Sequence, residues 1–163
     1  MNDITFREEV TPEDIETVRE IVASTGFFTP AEVDVAVELV QERLNRGPAS
    51  GYFFLFAEQG GKTLGYACYG PIACTVASYD LFWIVVHNQH RHQGLGRRLL
   101  RASEEKIAQA GGLRIYAETS SKAQYAPTRQ FYERNGYVAE ATLVDFYAPG
   151  DGKVVYVRSV KSA

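Results

Sequence analysis

The chain predicts an α/β fold, with a central mixed, mostly antiparallel sheet of about seven strands flanked by about four helices. Three observations predict it. The 163 residues suit a single domain spanning 1–163, long enough to bury about two-thirds of the unfolded surface. The apolar pattern switches between helical and strand periods in the order β-α-α-β-β-β-α-β-α-β-β. Finally, Gly60-Gly61 joins two apolar runs and demands an antiparallel pair, while the later alternation of strand and helix implies a mixed sheet with helices on both faces.

The elements follow in order. Ile4 to Arg7 reads as a short strand. Thr11-Pro12-Glu13-Asp14 reads as a helix start, with Thr11 as N-cap and Pro12 in the first position, and Ile15, Val18 and Val22 follow at helical spacing. Thr29-Pro30-Ala31-Glu32 repeats the signal; Val33, Val37, Val40 and Leu44 line one face, and Gly47-Pro48 stops the helix. Tyr52 to Glu58 and Thr63 to about Ile72 are the hairpin strands, and Asp80 to Val86 is a continuous apolar run of buried-strand length. Leu95 to Ala110 is helical, offering Leu99, Ala102 and Ile107 for packing, and ends at Gly111-Gly112. Leu113 to Glu118 is a strand and Thr128 to Asn135 a short helix ended by Gly136. Tyr137 to Tyr147 and Lys153 to Val160 form a terminal hairpin around Pro149-Gly150-Asp151-Gly152.

Composition narrows the function classes. The net charge of −3 argues against nucleic acid as the main partner, because phosphate neutralisation needs a dense basic surface. No run approaches the ~18 apolar residues of a membrane-spanning helix. Met1-Asn2-Asp3-Ile4 lacks the basic and apolar regions of an export signal, so a cytoplasmic protein is expected. The two cysteines, Cys68 and Cys74, lack metal spacing and are expected to be reduced and partly buried. His87, His90 and His92 lie close together, but no carboxylate or Cys completes a ligand set, so no metal is expected.

The informative stretch is the strand ending at Val86, the loop that follows it, and the helix opening at Leu95. Glycines at 94 and 96 let backbone N–H groups face outward. Those amides and the helix dipole suit a diphosphate, and Arg97, Arg98 and Arg101 add positive charge nearby. No Gly-Lys-Ser/Thr follows, and position 99 is Leu, so neither common nucleotide-loop pattern fits. Arg91-His92-Gln93-Gly94-Leu95-Gly96, preceded by the apolar strand, resembles the acetyl-CoA loop of the GNAT N-acetyltransferases. Phe131-Tyr132-Glu133-Arg134-Asn135-Gly136-Tyr137 resembles that family's second aromatic block. The resemblance covers roughly residues 52 to 160. It departs at Tyr125, where many members carry Asn, and at His87-Asn88, where many carry Pro after the first loop residue.

The resemblance implies an acetyl-CoA-dependent N-acetyltransferase that uses no metal. The chemistry then needs a neutral amine, a polarised thioester carbonyl and a proton for the leaving thiolate. Tyr132 matches the family's proton donor. The amide of Ile84 would polarise the carbonyl, and Val85 and Val86 would run beside the pantetheine arm. Arg91, His92, Gln93, Gly94, Leu95, Gly96 and Arg97 would hold the diphosphate. Asp80 is the preferred base and Glu118 the second choice. Thr119-Ser120-Ser121-Lys122 is a polar loop at a strand end, able to touch the CoA arm or the acceptor. Phe27, Phe28, Tyr69, Tyr125 and Tyr147 are acceptor-side candidates, each also readable as core. Their number points to a small amine or amino acid as acceptor; a protein lysine or N-terminus, or a regulatory module that binds coenzyme A without turnover, remain alternatives. The resemblance also implies a possible homodimer through the terminal hairpin.

Overall fold

The computed structural model describes residues 3–161, so Met1 and Asn2 of the opening tetrapeptide lie outside the described residues. Its elements are β1 (Thr5–Arg7), α1 (Asp14–Ser24), α2 (Pro30–Arg46), β2 (Phe53–Gln59), β3 (Lys62–Pro71), β4 (Ser78–Val86), α3 (Leu95–Gln109), β5 (Arg114–Ser120), α4 (Ala126–Arg134), β6 (Val138–Ala148) and β7 (Asp151–Ser159). The strands form one seven-stranded sheet in the order β1-β2-β3-β4-β5-β7-β6. The β1–β2, β2–β3, β5–β7 and β6–β7 pairs are antiparallel, and β4–β5 is parallel. This is the mixed, mostly antiparallel sheet with four helices that the sequence predicts. The chain forms two compact units. One runs up to Gly70 and includes Trp83–Glu105; the other holds Pro71–Phe82 and the chain from Lys106 onward.

In the first unit, the apolar faces read from the sequence become the core. Val18, Ile21 and Val22 of α1 and Val33, Val37 and Val40 of α2 cluster with Phe54, Phe56, Tyr66, Cys68 and Val85 from the sheet. The start of α2 matches expectation: the Thr29 hydroxyl accepts from the Glu32 amide at 3.2 Å, with Pro30 at the first helical position. The start of α1 does not. The helix begins at Asp14, with Glu13 in the capping position and no side-chain cap. Asp14 instead reaches back to the Thr11 amide (2.8 Å) and is gripped by Arg7 through two 2.9 Å contacts. Arg7 also binds Glu58 at 2.6 Å and lies 4.4 Å over the Phe56 ring. A buried carboxylate needs such a partner, and β1 supplies it across the turn.

Gly65 allows a close approach on β3: a Cβ placed there would lie 2.7 Å from the Val85 carbonyl oxygen. On α3, Leu95, Leu99, Leu100, Ser103, Glu104, Ile107 and Ala108 are buried, so of the residues expected to pack, Leu99 and Ile107 do so while Ala102 is half-buried. The Ser103 hydroxyl donates back to the Leu99 carbonyl at 2.8 Å.

In the second unit, β4 pairs with β5 from Ser78↔Arg114 to Leu81↔Ala117, and β5 pairs with β7 from Arg114↔Ser159 to Ser120↔Lys153. Residues directly opposite share a face. Leu81, Ile115, Ala117, Thr119, Val154 and Tyr156 therefore share one face, and all are buried. Asp80, Tyr116, Glu118, Lys153 and Val155 share the other, where they are half-buried to exposed beside the buried Ser120 and Val157. Strand β6 is exposed along its whole length. Its register with β7 shifts between Leu143 and Ala148, where Asp145 has φ 56° and its carboxylate accepts from the Gly150 amide at 2.8 Å. The bulge re-aims Phe146 and Tyr147.

Candidate active site

The loop after β4 is anchored before it opens. The His87 amide donates to the Leu64 carbonyl at 2.8 Å, extending the β3–β4 edge. His87 Nδ1 accepts from the Gln89 amide (3.2 Å), and the Asn88 amide donates to the Ser24 hydroxyl of α1 (3.0 Å). Beyond this anchor the backbone enters the left-handed region twice, at His92 (φ 62°) and Gly94 (φ 77°). Helix α3 starts at Leu95, and the buried Leu95 side chain pins its first turn. Arg98 is the first amide of that turn to bond back, to the Gly94 carbonyl at 3.2 Å. Among the described residues, the amides of Gly94, Leu95, Gly96 and Arg97 donate to no protein acceptor. Four orphan amides at the positive end of a fifteen-residue helix form an anion cradle. His92, Gln93 and Gly94 are exposed, as are Arg97 and Arg98.

One expectation for this unit changes. Arg101 is engaged by its own helix rather than left to widen the basic surface: its guanidinium binds the buried Glu104 carboxylate at 2.5 Å. The Arg91 guanidinium lies 5.7 Å over the Phe27 ring. Phe28 packs edge-on against Trp83 at 5.1 Å, and Tyr69 is buried and stacked on Phe53 at 6.2 Å. Ile84 and Val86 are half-buried, while Val85 belongs to the core. Among the described residues, no group of three or more His, Cys, Asp or Glu is placed to hold a metal ion. Cys68 is buried and Cys74 exposed, and both are free.

In the second unit, Tyr132 lies on the dry face of the sheet. Its ring is boxed by Phe131 (5.5 Å), Tyr137 (5.4 Å) and Tyr156 (5.6 Å). Burial pushes its phenol well above the ordinary value, so it stays protonated. Tyr156 is fixed in turn by a 2.9 Å bond from its hydroxyl to Glu133.

Asp80 and Glu118 lie together on the opposite, wetter face. The Asp80 carboxyl is raised above its usual range, first by burial and then by the Glu118 charge, with Lys153 opposing the rise. Glu118 pairs with Lys153 at 2.9 Å. The Tyr147 phenol is raised by burial, then by the charges of Glu118 and Asp151 and by Tyr125. Asp80 and Glu118 thus share one face with Lys153, a residue that local spacing does not reveal.

The polar loop 119–122 is committed to internal bonds. The Ser120 hydroxyl donates to Asp151, the Gly152 amide donates to the Ser121 hydroxyl (2.8 Å), and Arg129 donates to the Ser120 and Lys122 carbonyls, both at 2.8 Å. It braces the β6–β7 tip against α4.

The comparisons with known proteins agree with this geometry. A family model described as an acetyltransferase (GNAT) domain matches residues 50–139. The chain is similar to the crystal structure of a GNAT-family protein from Desulfovibrio desulfuricans, with 50% identity, a TM-score of 0.95, and coverage of 96% of this chain and 99% of that one. It shares the fold of an aminoglycoside 6'-N-acetyltransferase complexed with coenzyme A (17% identity, TM-score 0.75, 96% of each chain). The same holds for the ribosomal-protein-S18-alanine N-acetyltransferase of Escherichia coli (20% identity, TM-score 0.74, 100% of this chain and 96% of that one). No curated protein matches the sequence. No helix among the described residues is long and apolar enough to cross a membrane.

Proposed function

Because this chain belongs to the GNAT acetyltransferase family, we propose that it transfers the acetyl group of acetyl-CoA to the primary amine of a small molecule or amino acid. The observation that carries the reading is the run of orphan amides from Gly94 to Arg97 behind a left-handed loop. It fits a diphosphate in charge and shape, and the exposed Arg97 and Arg98 supply counter-charge. Arg91, His92, Gln93, Gly94, Leu95, Gly96 and Arg97 would hold that diphosphate through their main chain, with the pantetheine arm running beside Val85 and Val86.

Each residue then has a defined task. Asp80 takes one proton of the acceptor ammonium, with Glu118 as its neighbour, so that the amine nitrogen becomes nucleophilic. The Ile84 amide stabilises charge on the carbonyl oxygen as the new C–N bond forms. Tyr132 donates its phenolic proton to the sulfur as the C–S bond breaks; the second nitrogen proton is shed to water and the phenolate regains a proton from solvent, giving free coenzyme A and the acetamide. A phenol kept protonated by burial suits that role. Tyr125 and Tyr147 frame the acceptor beside Asp80; Phe27, Phe28 and Tyr69 are buttresses by their packing. We further propose that the chain acts as one catalytic domain in the cytoplasm and pairs as a homodimer through the exposed β6 edge.

The test is release of free thiol from acetyl-CoA against a panel of small amines, amino acids and peptides. Turnover with a small amine supports the reading. Turnover confined to peptides redirects it to protein acetylation, and acetyl-CoA binding without thiol release on any amine overturns it.

A further inference from the structure

We infer that Lys153 is a positioning residue that holds the Asp80–Glu118 pair in the arrangement where Asp80 carries the charge that accepts the amine's proton. This rests on the acetyl-transfer reading. The geometry is specific. Asp80↔Tyr116 on β4–β5 and Ser120↔Lys153 on β5–β7 set Asp80, Glu118 and Lys153 in a row on one face, across three neighbouring strands.

The Lys153 side chain is 14% exposed, its ammonium lying 2.9 Å from the Glu118 carboxylate and 4.3 Å from the centre of the Phe146 ring. A lysine this enclosed, clasped by a carboxylate and an aromatic face, is fixed in place in a way a surface lysine is not. The bulge in β6 brings Phe146 over it, so the clasp is built from three strands.

The charges around Asp80 explain why the row needs a cation. Glu118 faces it from β5 and raises its proton affinity; Tyr116, its register partner, comes from the same strand; Lys153 comes from β7 and lowers that affinity. The Tyr147 phenol of β6, raised first by burial and then by the Glu118 charge, is neutral. Remove the ammonium and two carboxylates share a partly buried face with no cation between them, so the pair retains a proton to higher pH. The base would then be occupied over a wider acidic range.

Two readouts test this. In wild type, Lys153→Met and Lys153→Arg, the pH profile of kcat/KM is measured with the best amine, and the Asp80 carboxyl is titrated by carbon-13 NMR. The expected result is that Lys153→Met moves the acidic limb and the Asp80 titration upward by about one pH unit or more, with activity recovering at alkaline pH. Lys153→Arg stays near wild type. The double variant Lys153→Met/Glu118→Gln, which removes the like charge as well, returns the Asp80 titration toward the wild-type position, and this arm stands even if the single variant folds poorly. An active wild type whose limb and Asp80 titration are unmoved by Lys153→Met overturns the inference. If the NMR shift occurs but wild type acetylates no amine, the electrostatic role of Lys153 stands and the acetyl-transfer reading fails.

Discussion

Substituting Gly94 separates the two contributions of the anion cradle, its backbone shape and its charge. Gly94 has φ 77°, and a Cβ placed there meets no atom within 4 Å. Alanine therefore adds no clash; its penalty is the left-handed backbone alone, about 1–2 kcal/mol. The exposed loop can relax to negative φ when empty, so global stability should barely change. Acetyl-CoA would have to restore the strained shape, weakening its affinity about 5- to 30-fold. Aspartate carries the same backbone penalty and adds a negative charge. Placed about 6 Å from a phosphate at an effective dielectric of about 40, that charge adds roughly 1.4 kcal/mol, a further tenfold loss. Calorimetric titration with acetyl-CoA at low and high salt distinguishes the two. The Ala-to-Asp gap should shrink as salt rises, while the wild-type-to-Ala gap should not. Wild-type affinity in Gly94→Asp, or equal affinities for Ala and Asp at low salt, would refute an anion at this loop.

Three further outcomes are expected. Tyr132→Phe keeps the three-ring box and so should leave acetyl-CoA affinity unchanged by calorimetry while lowering kcat about ten-fold or more; an unaltered kcat removes Tyr132 from proton transfer. Gly65→Ala drives a methyl to 2.7 Å from the Val85 carbonyl and should destabilise the fold by about 1–3 kcal/mol in urea unfolding. Asp80→Asn should lower turnover yet raise stability at neutral pH. The folded state raises the Asp80 proton affinity, so ionising it opposes folding as pH climbs above the ordinary carboxylate value. Denaturation at pH 7 should then favour the Asn variant, and the advantage should vanish near pH 3, below both pKa values; an equal difference at the two pH values would exclude this cause.

Much of the molecule was legible in the sequence because its signals are local. Thr29 and Glu32 announce α2 with residues three apart, and the structure forms that cap. Gly94 announces the cradle because its left-handed backbone suits glycine, whereas nothing in the spacing marks His92 as the other left-handed residue. The α1 start was misplaced because Asp14 answers to Arg7 on β1, a tertiary partner that outweighs the local cap of Thr11. Arg101 read as basic surface although Glu104 stands three residues on, a helical spacing that announces the pair. Lys153 could not be found from spacing at all. Its link to Glu118 depends on the β5–β7 register, and the exposed Phe146 ring of β6 lies over the same ammonium.

The two-sided construction of β5 has a consequence for how such a catalyst recharges. Asp80 shares its face with the exposed Glu118, whereas the Tyr132 ring is enclosed by three others. If both move protons as proposed, the phenol would trade its hydrogen with bulk solvent more slowly than the carboxyl, and heavy water would slow refilling of the phenol more than emptying of the carboxylate.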